Sequence, residues 1–461
     1  MNSYQVRFWT IQKLPGKTRA RYRVRWNTGG RERCKSFATR ALADAFLTTL
    51  KDAARHGTPF DPVSGQPAPA APARPHMVTW YEHACAYSQM KWPDLAAKSR
   101  RSVAEALTTI TLALSAPRSR PPEPALLRRA LLCYAFNHAS NTRLVPAEIT
   151  RALDWTAKAS PPLAGLDDPD TVRAVLADCA RRLDGKPAAA ATARRKRAVL
   201  ASALGHAVER HLLPASPLTG IHWKPAEVAQ TVDRHSVASP AQAARLLEAA
   251  RAQGQRGEHM EAFFGCLYYA ALRPSEAVAL RESDLVLPDS GWGRIDLASS
   301  SPRAGTWWTD DGASRQERGL KHRPAGETRS IPIPPVLVDL LRNHLKRYGT
   351  ASDGRVFATA RGGPLNDTGY GEVWERARRA ALTSAQQASP LARRPYDLRH
   401  AAVSLWLNSG VPATEVARRA GHGLAVLLRV YANCIDGQAA AANRRIADAL
   451  SESTATVVTN N

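Results

Sequence analysis

Apolar and polar residues alternate near the start of the chain, as in a strand with one buried face. Residues 21–26 divide into Tyr22, Val24 and Trp26 on one face and Arg21, Arg23 and Arg25 on the other. Further patterns predict strands from Val6 to Gln12 and from Arg31 to Phe37, and a Thr39-capped helix from Arg40 to about Arg55. Residues 1–57 are therefore predicted to form a three-stranded sheet with one helix.

The segment from Thr58 to Pro75 is rich in proline and does not continue this alternation. Six prolines stand there among Ala, Ser and Gly. Such a composition is typical of a semi-rigid spacer, because proline restricts the backbone and leaves few apolar side chains to build a core. We predict a linker over residues 58–75.

Helical periodicity dominates residues 76–225. The candidate helices are Trp80–Met90, Leu95–Leu114, Ala125–Ala135, Thr171–Leu183 and Ala190–His211. Proline-rich breaks separate them at 116–124 and 160–162, because proline cannot continue a helix from its interior. This region is predicted to be a helical domain.

Residues 226–450 mix the two patterns. The predicted helices include Pro240–Ala252, Glu261–Leu272, Ala401–Asn408 and Pro412–Ala420, and the predicted short strands are 285–287, 294–298 and 329–332. A polar tail, 451–461, is predicted to be flexible. The fold class that follows is multidomain and mainly α, with small β-sheets and a mixed α+β final domain.

The charge of the chain changes this picture, because it predicts a polyanionic partner. The 461 residues carry a formal net charge of +24, and residues 1–57 hold thirteen Lys and Arg against three acids. Lys and Arg release counterions condensed on nucleic acid, although charge alone also fits a ribosomal or membrane-surface partner. The predicted DNA contacts are Arg21, Arg23, Arg25, Arg194, Arg195, Lys196 and Arg197.

Other features of the composition exclude several classes of protein. The six cysteines are scattered without a Cys-x-x-Cys pair, so neither a disulfide framework nor a zinc site is predicted. The N-terminus lacks an apolar signal segment, and no apolar run approaches the ~20 residues of a membrane span. We expect a cytoplasmic protein without a membrane partner.

The candidate chemistry lies in the last two hundred residues and consists of cations, imidazoles and phenols. Phosphate-loop, serine-hydrolase and zinc-protease motifs are absent from the sequence. Arg273 follows one apolar helix, Arg399 and His400 open another, and His422 precedes Tyr431 by nine positions. Each residue alone fits a structural role.

Together, the ordered segments of residues 236–450 resemble the tyrosine recombinases, the family of lambda-type phage integrases. The matching segments are Leu272-Arg273-Pro274-Ser275-Glu276, Lys321 ahead of Arg329–Pro332, Tyr396-Asp397-Leu398-Arg399-His400, Gly421-His422 and Tyr431. More loosely, residues 76–225 resemble the family's helical core-binding domain, and residues 1–57 its arm-binding domain. The resemblance implies four regions before the tail: 1–57, the linker 58–75, 76–225 and a catalytic domain, 226–450.

The resemblance implies a role for each of these residues. Tyr431 would attack a DNA phosphodiester and form a 3′-phosphotyrosine, while Arg273, Arg399 and His422 stabilise the charge on its oxygens. Lys321 would protonate the leaving 5′-oxygen, and Tyr396 would hydrogen-bond near the phosphate or the nucleophile. The remaining two, Glu276 and His400, would orient the arginines. No metal, ATP or other cofactor is implied.

Two departures from the family pattern matter. Tyr396 stands where the family usually carries a histidine, which leaves the proton acceptor of Tyr431 open. Residues 299–319 insert a polar loop, including Trp307-Trp308, ahead of Lys321. Lys321 is the only lysine between Lys224 and Lys346, which supports its assignment.

The implied function is site-specific integration and excision of a phage- or plasmid-type mobile element. The implied partners are double-stranded DNA attachment sites, three further copies of the chain in a homotetramer, and an accessory directionality or DNA-bending protein. Two alternatives stay open at this point. One is a catalytically silent DNA-binding protein or regulator with the same fold, and the other is a type IB topoisomerase-like enzyme that relaxes DNA.

Overall fold

The computed structural model describes residues 5–15, 20–61, 63–67, 77–116, 120–139, 144–223, 231–320, 324, 326–434, 443–444 and 446–448. These residues form two compact units. The first comprises residues 1–79 with 162–164, and the second comprises residues 80–161 with 165–461. The prediction of a mainly helical chain with small sheets is confirmed.

The first unit is a twisted antiparallel sheet with one helix. Its elements are β1 (Val6–Phe8), β2 (Gln12–Leu14), β3 (Arg21–Thr28), β4 (Arg31–Phe37) and α1 (Arg40–Arg55). Strands β1 and β2 both pair with β3 on one edge, and β4 pairs with its other edge. The side chain of Thr39 caps α1 as predicted, by accepting a hydrogen bond from the backbone of Leu42.

The predicted single strand from Val6 to Gln12 is wrong, and four strands form where three were expected. Phe8 pairs with Trp26 and Gln12 pairs with Arg23, so three residues on the first strand face two on β3. This extra residue acts as a β-bulge and separates β1 from β2.

The burial of side chains along β3 confirms the predicted alternation of its two faces. Val24 and Trp26 are buried and pack against Leu47 and Leu50 of α1, whereas Arg21 is exposed on the other face. Phe60 is fully buried in the same core, so the packed region continues into the segment predicted as a linker. Residues 68–76 of that segment lie outside the described residues.

The second unit begins with a helical region. Its helices are α2 (Trp80–Lys91), α3 (Ala97–Leu114), α4 (Pro124–Ala130), a π-helical turn (Leu131–Ala135), α5 (Ala147–Ala159), α6 (Pro169–Cys179) and α7 (Ala190–Glu209). Helix α5 was not predicted. Its buried face consists of Ile149, Ala152, Thr156 and Ala159, and a face with one large aliphatic residue gives little periodic signal.

The remainder of this unit combines helices with a small sheet. The helices are α8 (Pro240–Arg251), α9 (Gln255–Tyr269), α10 (Pro274–Ala279), α11 (Pro335–Tyr348), α12 (Asp367–Ala381), α13 (Ser384–Ala388), α14 (Asp397–Asn408), α15 (Ala413–Ala420) and α16 (Leu424–Tyr431). The strands are β5 (Leu285–Val286), β6 (Gly293–Leu297), β7 (Ser299–Ser300), β8 (Arg318–Gly319) and β9 (Arg329–Ile333). Strands β5, β6 and β9 form an antiparallel sheet in that order, and β7 pairs with β8.

The loop between β7 and β8 contacts the helical region. Arg100 of α3 donates a hydrogen bond of 2.8 Å to Asp310 and stacks over the ring of Trp92, with its guanidinium carbon 4.5 Å from the centroid. Trp308, buried at 5% exposure, lies 6.2 Å from the ring of Trp92. The insertion predicted to be a polar loop thus contacts the helical region through Trp308 and through the ion pair between Arg100 and Asp310.

None of the described helices is both long enough and apolar enough to cross a lipid bilayer.

Candidate active site

Arg273 is positioned by the junction between α9 and α10. Ala271 has a left-handed backbone, with φ of +49°, which turns the chain between the two helices. Arg273 is the N-cap of α10, and Pro274 fills the first helical position, where the missing N–H costs nothing. The backbone N–H of Arg273 donates to Oε2 of Glu276 at 2.8 Å, and its Nη1 donates to Oε1 at 2.7 Å.

Glu276 joins a second arginine that the sequence reasoning did not single out. Arg329 of β9 donates from Nη2 to Oε2 of Glu276 at 2.7 Å and from Nη1 to Oε1 at 3.1 Å. Burial would raise the pKa of Glu276, but Arg329 and Arg273 outweigh it and lower the pKa to about 2. The alternation of β9 could have indicated Arg329 in the sequence, because this residue lies on the same buried face of the strand as Ile331 and Ile333.

Backbone carbonyls at the end of α15 bind Arg273 and Arg399. Helix α15 ends at Gly421, whose φ of +63° is the left-handed conformation that glycine adopts at low cost. The Gly421 carbonyl accepts a hydrogen bond of 3.1 Å from Arg273, and the Ala420 carbonyl accepts one from Arg399. Carbonyls at the C-terminal end of a helix carry partial negative charge, so they stabilise these guanidinium groups.

Arg399 is fully buried and has three hydrogen-bond partners. Besides the carbonyl of Ala420, it donates to the carbonyl of Ala271 and to Nε2 of His422, the last at 2.8 Å. Burial lowers the pKa of Arg399 to about 10, which still leaves the side chain charged at neutral pH. The network fixes its orientation.

His422 is a neutral acceptor in this arrangement. Burial lowers its pKa to about 3, and the charges of Arg399, Arg273 and Arg329 act in the same direction. Because Nε2 accepts from Arg399, the neutral ring carries its proton on Nδ1, which has no partner among the described residues. That N–H is available to an added acceptor.

Tyr431 is the last residue of α16 and is fully buried. Its hydroxyl lies 2.9 Å from Nδ1 of His400, and its ring lies 6.0 Å from that of His422. Burial raises the pKa of Tyr431 well above the usual value for a phenol. Tyr396 stands next to this group, with its ring 5.0 Å from His400.

The cluster keeps excess positive charge, because three guanidinium groups share one carboxylate among the described residues. Guanidinium forks bind phosphate oxygens bidentately, so the arrangement suits a phosphate with a phenol beside it. Within the described part of the chain, no three His, Cys, Asp or Glu side chains gather as metal ligands would.

The fold thus brings together most of the predicted catalytic and supporting residues. They are Arg273, Glu276, Tyr396, Arg399, His400, His422 and Tyr431, which come from four separate segments. Lys321 lies outside the described residues, so its assignment stays a prediction.

The predicted DNA contacts lie apart from these residues in sequence. On β3, Arg21 is exposed, Arg23 is half-buried and Arg25 forms an ion pair of 2.5 Å with Glu32. On α7, Arg195 is exposed, whereas Lys196 lies on the buried face with Ala193 and Leu200. Helical periodicity turns Lys196 inward, so it does not share the exposed surface of its neighbours.

Comparison with known proteins identifies the same region. Residues 237–436 match the sequence model of the phage integrase family. The chain is also 35% identical, over 124 residues, to an integrase of Streptomyces ambofaciens. That match covers 25% of this chain and 31% of the relative, so the chain spans about a third of the length of the curated protein that it matches.

Three solved structures are among those to which the chain is similar. The integrase of the transposon Tn1549, in complex with transposon right-end DNA, is 16% identical with a TM-score of 0.47, over 68% of this chain and 96% of that one. The XerH site-specific recombinase bound to difH is 11% identical with a TM-score of 0.43, over 77% and 95%. A lambda integrase tetramer bound to a Holliday junction is 14% identical with a TM-score of 0.45, over 86% and 90%.

Proposed function

We propose that this chain, whose residues 237–436 match the sequence model of the phage integrase family, is a site-specific DNA recombinase that cleaves and rejoins strands through Tyr431. The observation that carries the proposal is the placement of the Tyr431 hydroxyl beside a neutral imidazole and next to a cluster of buried arginines. A phenol that attacks phosphorus forms a phosphotyrosine, which conserves the energy of the broken bond for rejoining.

Each arginine would act on the phosphate in a distinct way. Arg273 is 24% exposed at its side chain, so it can reach a phosphate that enters the site. Arg399 is held by backbone carbonyls and would act mainly through its fixed charge. The N–H at Nδ1 of His422 adds a neutral donor. Fixed donors of this kind contribute about 10²–10³-fold each to the rate, because they need no reorganisation as charge develops.

Lys321 would supply the proton to the leaving 5′-oxygen. The proposal rests on its position in the sequence, between the docked loop and β9, and on its being the only lysine from residue 225 to 345. The reaction then needs no metal and no nucleotide cofactor, because Tyr431, the arginines and Lys321 provide the nucleophile, the charge stabilisation and the acid.

The biological substrate would be a pair of double-stranded attachment sites, joined or separated when a mobile element moves. We propose a homotetramer on DNA, helped by an accessory directionality or DNA-bending protein, in the bacterial nucleoid. The basic faces of β3 and α7 would contribute additional DNA contacts, because their arginines lie on exposed or half-buried surfaces.

Trapping the covalent intermediate tests the proposal. Fragments of the DNA that flanks the gene would be screened for cleavage, and the cleaved site rebuilt as a suicide duplex, whose nick lets the released strand diffuse away. The wild-type chain should form an SDS-resistant adduct with this duplex. Tyr431→Phe should bind the duplex with unchanged affinity and form no adduct, because only the phenolic oxygen is lost.

The controls separate the alternatives. Tyr396→Phe should retain the adduct, and an adduct in Tyr431→Phe would move the nucleophile to another residue. Specific binding without an adduct in the wild type would favour a catalytically silent DNA-binding protein. Adduct formation with relaxation of supercoiled plasmid, but without strand exchange between two sites, would favour a topoisomerase-like enzyme.

A further inference from the structure

We infer that His400 is the group that accepts the proton of Tyr431 when the phenol attacks DNA, and that it passes this proton to solvent through an adjoining cleft. The inference rests on the proposed function and names its proton acceptor, a role that the resemblance left open at Tyr396. His400 is then a catalytic residue and not only a support of the arginines.

The two groups lie within hydrogen-bonding distance of each other. Nδ1 of His400 lies 2.9 Å from the Tyr431 hydroxyl, which is within the range of direct proton transfer. Among the other polar groups, Nε2 of His422 already accepts a hydrogen bond from Arg399. Tyr396 offers a neutral hydroxyl, which is a much weaker proton acceptor than a neutral imidazole.

The proton donor, Tyr431, and the proposed acceptor, His400, differ in burial. Tyr431 is 0% exposed, so its proton has no direct contact with water in the folded chain. His400 is only partly buried and lines an open cleft of about 530 Å³. The cleft also contains Asp233, Ser236, Arg393, Arg394 and Asp397. An imidazole between a buried phenol and a polar cleft can accept a proton on one nitrogen and release one from the other.

Transfer of the proton accompanies the attack of Tyr431 on phosphorus. The O–H bond of Tyr431 breaks and its proton moves to Nδ1 of His400, while the phenolic oxygen forms a bond to phosphorus. The bond from phosphorus to the 5′-oxygen breaks, and that oxygen takes a proton from the general acid, proposed to be Lys321. His400 then releases the proton on Nε2 to the cleft and returns to the neutral form. Rejoining runs the same steps in reverse.

Burial and the charges around His400 keep its imidazole neutral, so that it can accept a proton. Burial, Arg399 and Arg394 lower the pKa of His400 to about 4, so its lone pair is free at neutral pH. The ionisable or charged groups on the surrounding elements are Asp233, Arg393, Arg394, Tyr396, Asp397, Arg399, His422 and Tyr431. A DNA phosphate bound at the arginines would offset their charge, which would raise the pKa of His400 and make it a stronger base during the reaction.

The test compares His400→Asn with a control variant, His235→Asn, on the suicide duplex. Asparagine places its Oδ1 close to the position of Nδ1, so it preserves the hydrogen bond but cannot take the proton. Its cleavage rate should fall by at least about 10²-fold at neutral pH with unchanged DNA affinity. His235→Asn, at an exposed histidine with no role in the site, should cleave within a few-fold of wild type.

Two further measurements distinguish proton transfer from a purely structural role. In His400→Asn the rate should rise about tenfold per pH unit, because hydroxide must replace the imidazole, whereas the wild-type rate should level off. A fluorinated tyrosine at position 431, whose phenol is more acidic, should restore cleavage in His400→Asn. A misfolded variant would show neither response.

The results distinguish a failure of the role proposed for His400 from a failure of the proposed recombinase function. If the wild type forms the adduct and His400→Asn matches its rate and pH profile, the role of His400 is wrong while the recombinase proposal stands. Loss of cleavage in Tyr396→Phe instead would assign the proton acceptor to Tyr396. If the wild type forms no adduct with any fragment, both proposals fall together.

Discussion

Glu276 accepts two hydrogen bonds from Arg329, at 2.7 and 3.1 Å, in a pair whose side chains are 3% and 2% exposed. The same carboxylate also accepts from Arg273, so one buried acid orients two cations. Two guanidinium groups so close together, that of Arg329 being buried, would repel each other strongly without this carboxylate. Glu276 therefore stabilises the fold and the geometry of the candidate site at once.

Glu276→Gln should lower both stability and cleavage. The amide has nearly the same shape but leaves Arg329 as a buried charge without compensation, a situation that costs about 3–5 kcal/mol. Urea unfolding measures this loss, and the suicide duplex measures cleavage. Glu282→Gln, at an exposed acid six residues later, serves as the control and should change neither value appreciably. Equal stabilities of the two variants would contradict a structural role for the pair.

Gly421→Ala should disturb the arginines, whereas Gly423→Ala should not. A Cβ at Gly421 would overlap the guanidinium of Arg329, and the left-handed φ of +63° adds about 1–3 kcal/mol of strain. Displacement of the groups by about 1 Å would slow cleavage by about 10²-fold. At Gly423 a Cβ meets no atom within 4 Å, and the backbone φ of −72° suits any residue. Thermal unfolding and cleavage rates of both variants provide the comparison, and similar losses at both positions would contradict it.

Arg100→Ala should release the loop between β7 and β8 from the helical region. The substitution removes the ion pair with Asp310 and the stacking on Trp92, for a loss of about 1–3 kcal/mol. Hydrogen exchange of residues 303–316 should speed up in this variant. The neighbouring Arg101 is exposed, so Arg101→Ala should leave the exchange unchanged. Unchanged protection in Arg100→Ala would mean that other contacts hold the loop.

Stability should fall as the medium becomes acidic, starting near neutral pH. The pKa values of His400 and His422, about 4 and about 3, lie below the ~6.5 of an unfolded histidine, so the unfolded chain binds protons first. Their contribution is complete above pH ~6.5 and is lost as the pH falls towards these lower values. The slope is at most about 1.4 kcal/mol per pH unit for each, and less because both side chains retain contact with solvent.

Urea unfolding between about pH 7 and pH 4 measures this slope, and Glu276 adds its own loss only below its unfolded-state pKa of ~4.3. His422→Asn should have a shallower pH dependence than wild type, whatever its stability at neutral pH. His235→Asn should keep the wild-type slope because His235 is exposed. A wild-type slope in His422→Asn would show that His422 is protonated in the folded chain.

Local patterns in the sequence predicted the elements that carry the site. The periodicity around Ala401–Asn408 and Pro412–Ala420, and the glycine after each, anticipated α14 and α15 with little error. Helix α5 was missed because its buried face is mostly Ala and Thr, which give a weak apolar period. The break between β1 and β2 was missed because a bulge depends on the register with β3, which local alternation does not contain.

The sequence by itself therefore determined the family resemblance, the mainly helical composition and the order of Arg273, Arg399, His422 and Tyr431 along the chain. These properties depend on residue identity and on spacing over a few turns. Only the tertiary structure decided that Arg329 joins Glu276, that Lys196 faces inward and that His400 contacts Tyr431. Those relationships join residues that are far apart in sequence or depend on which helix face is buried, so they arise when the segments pack together.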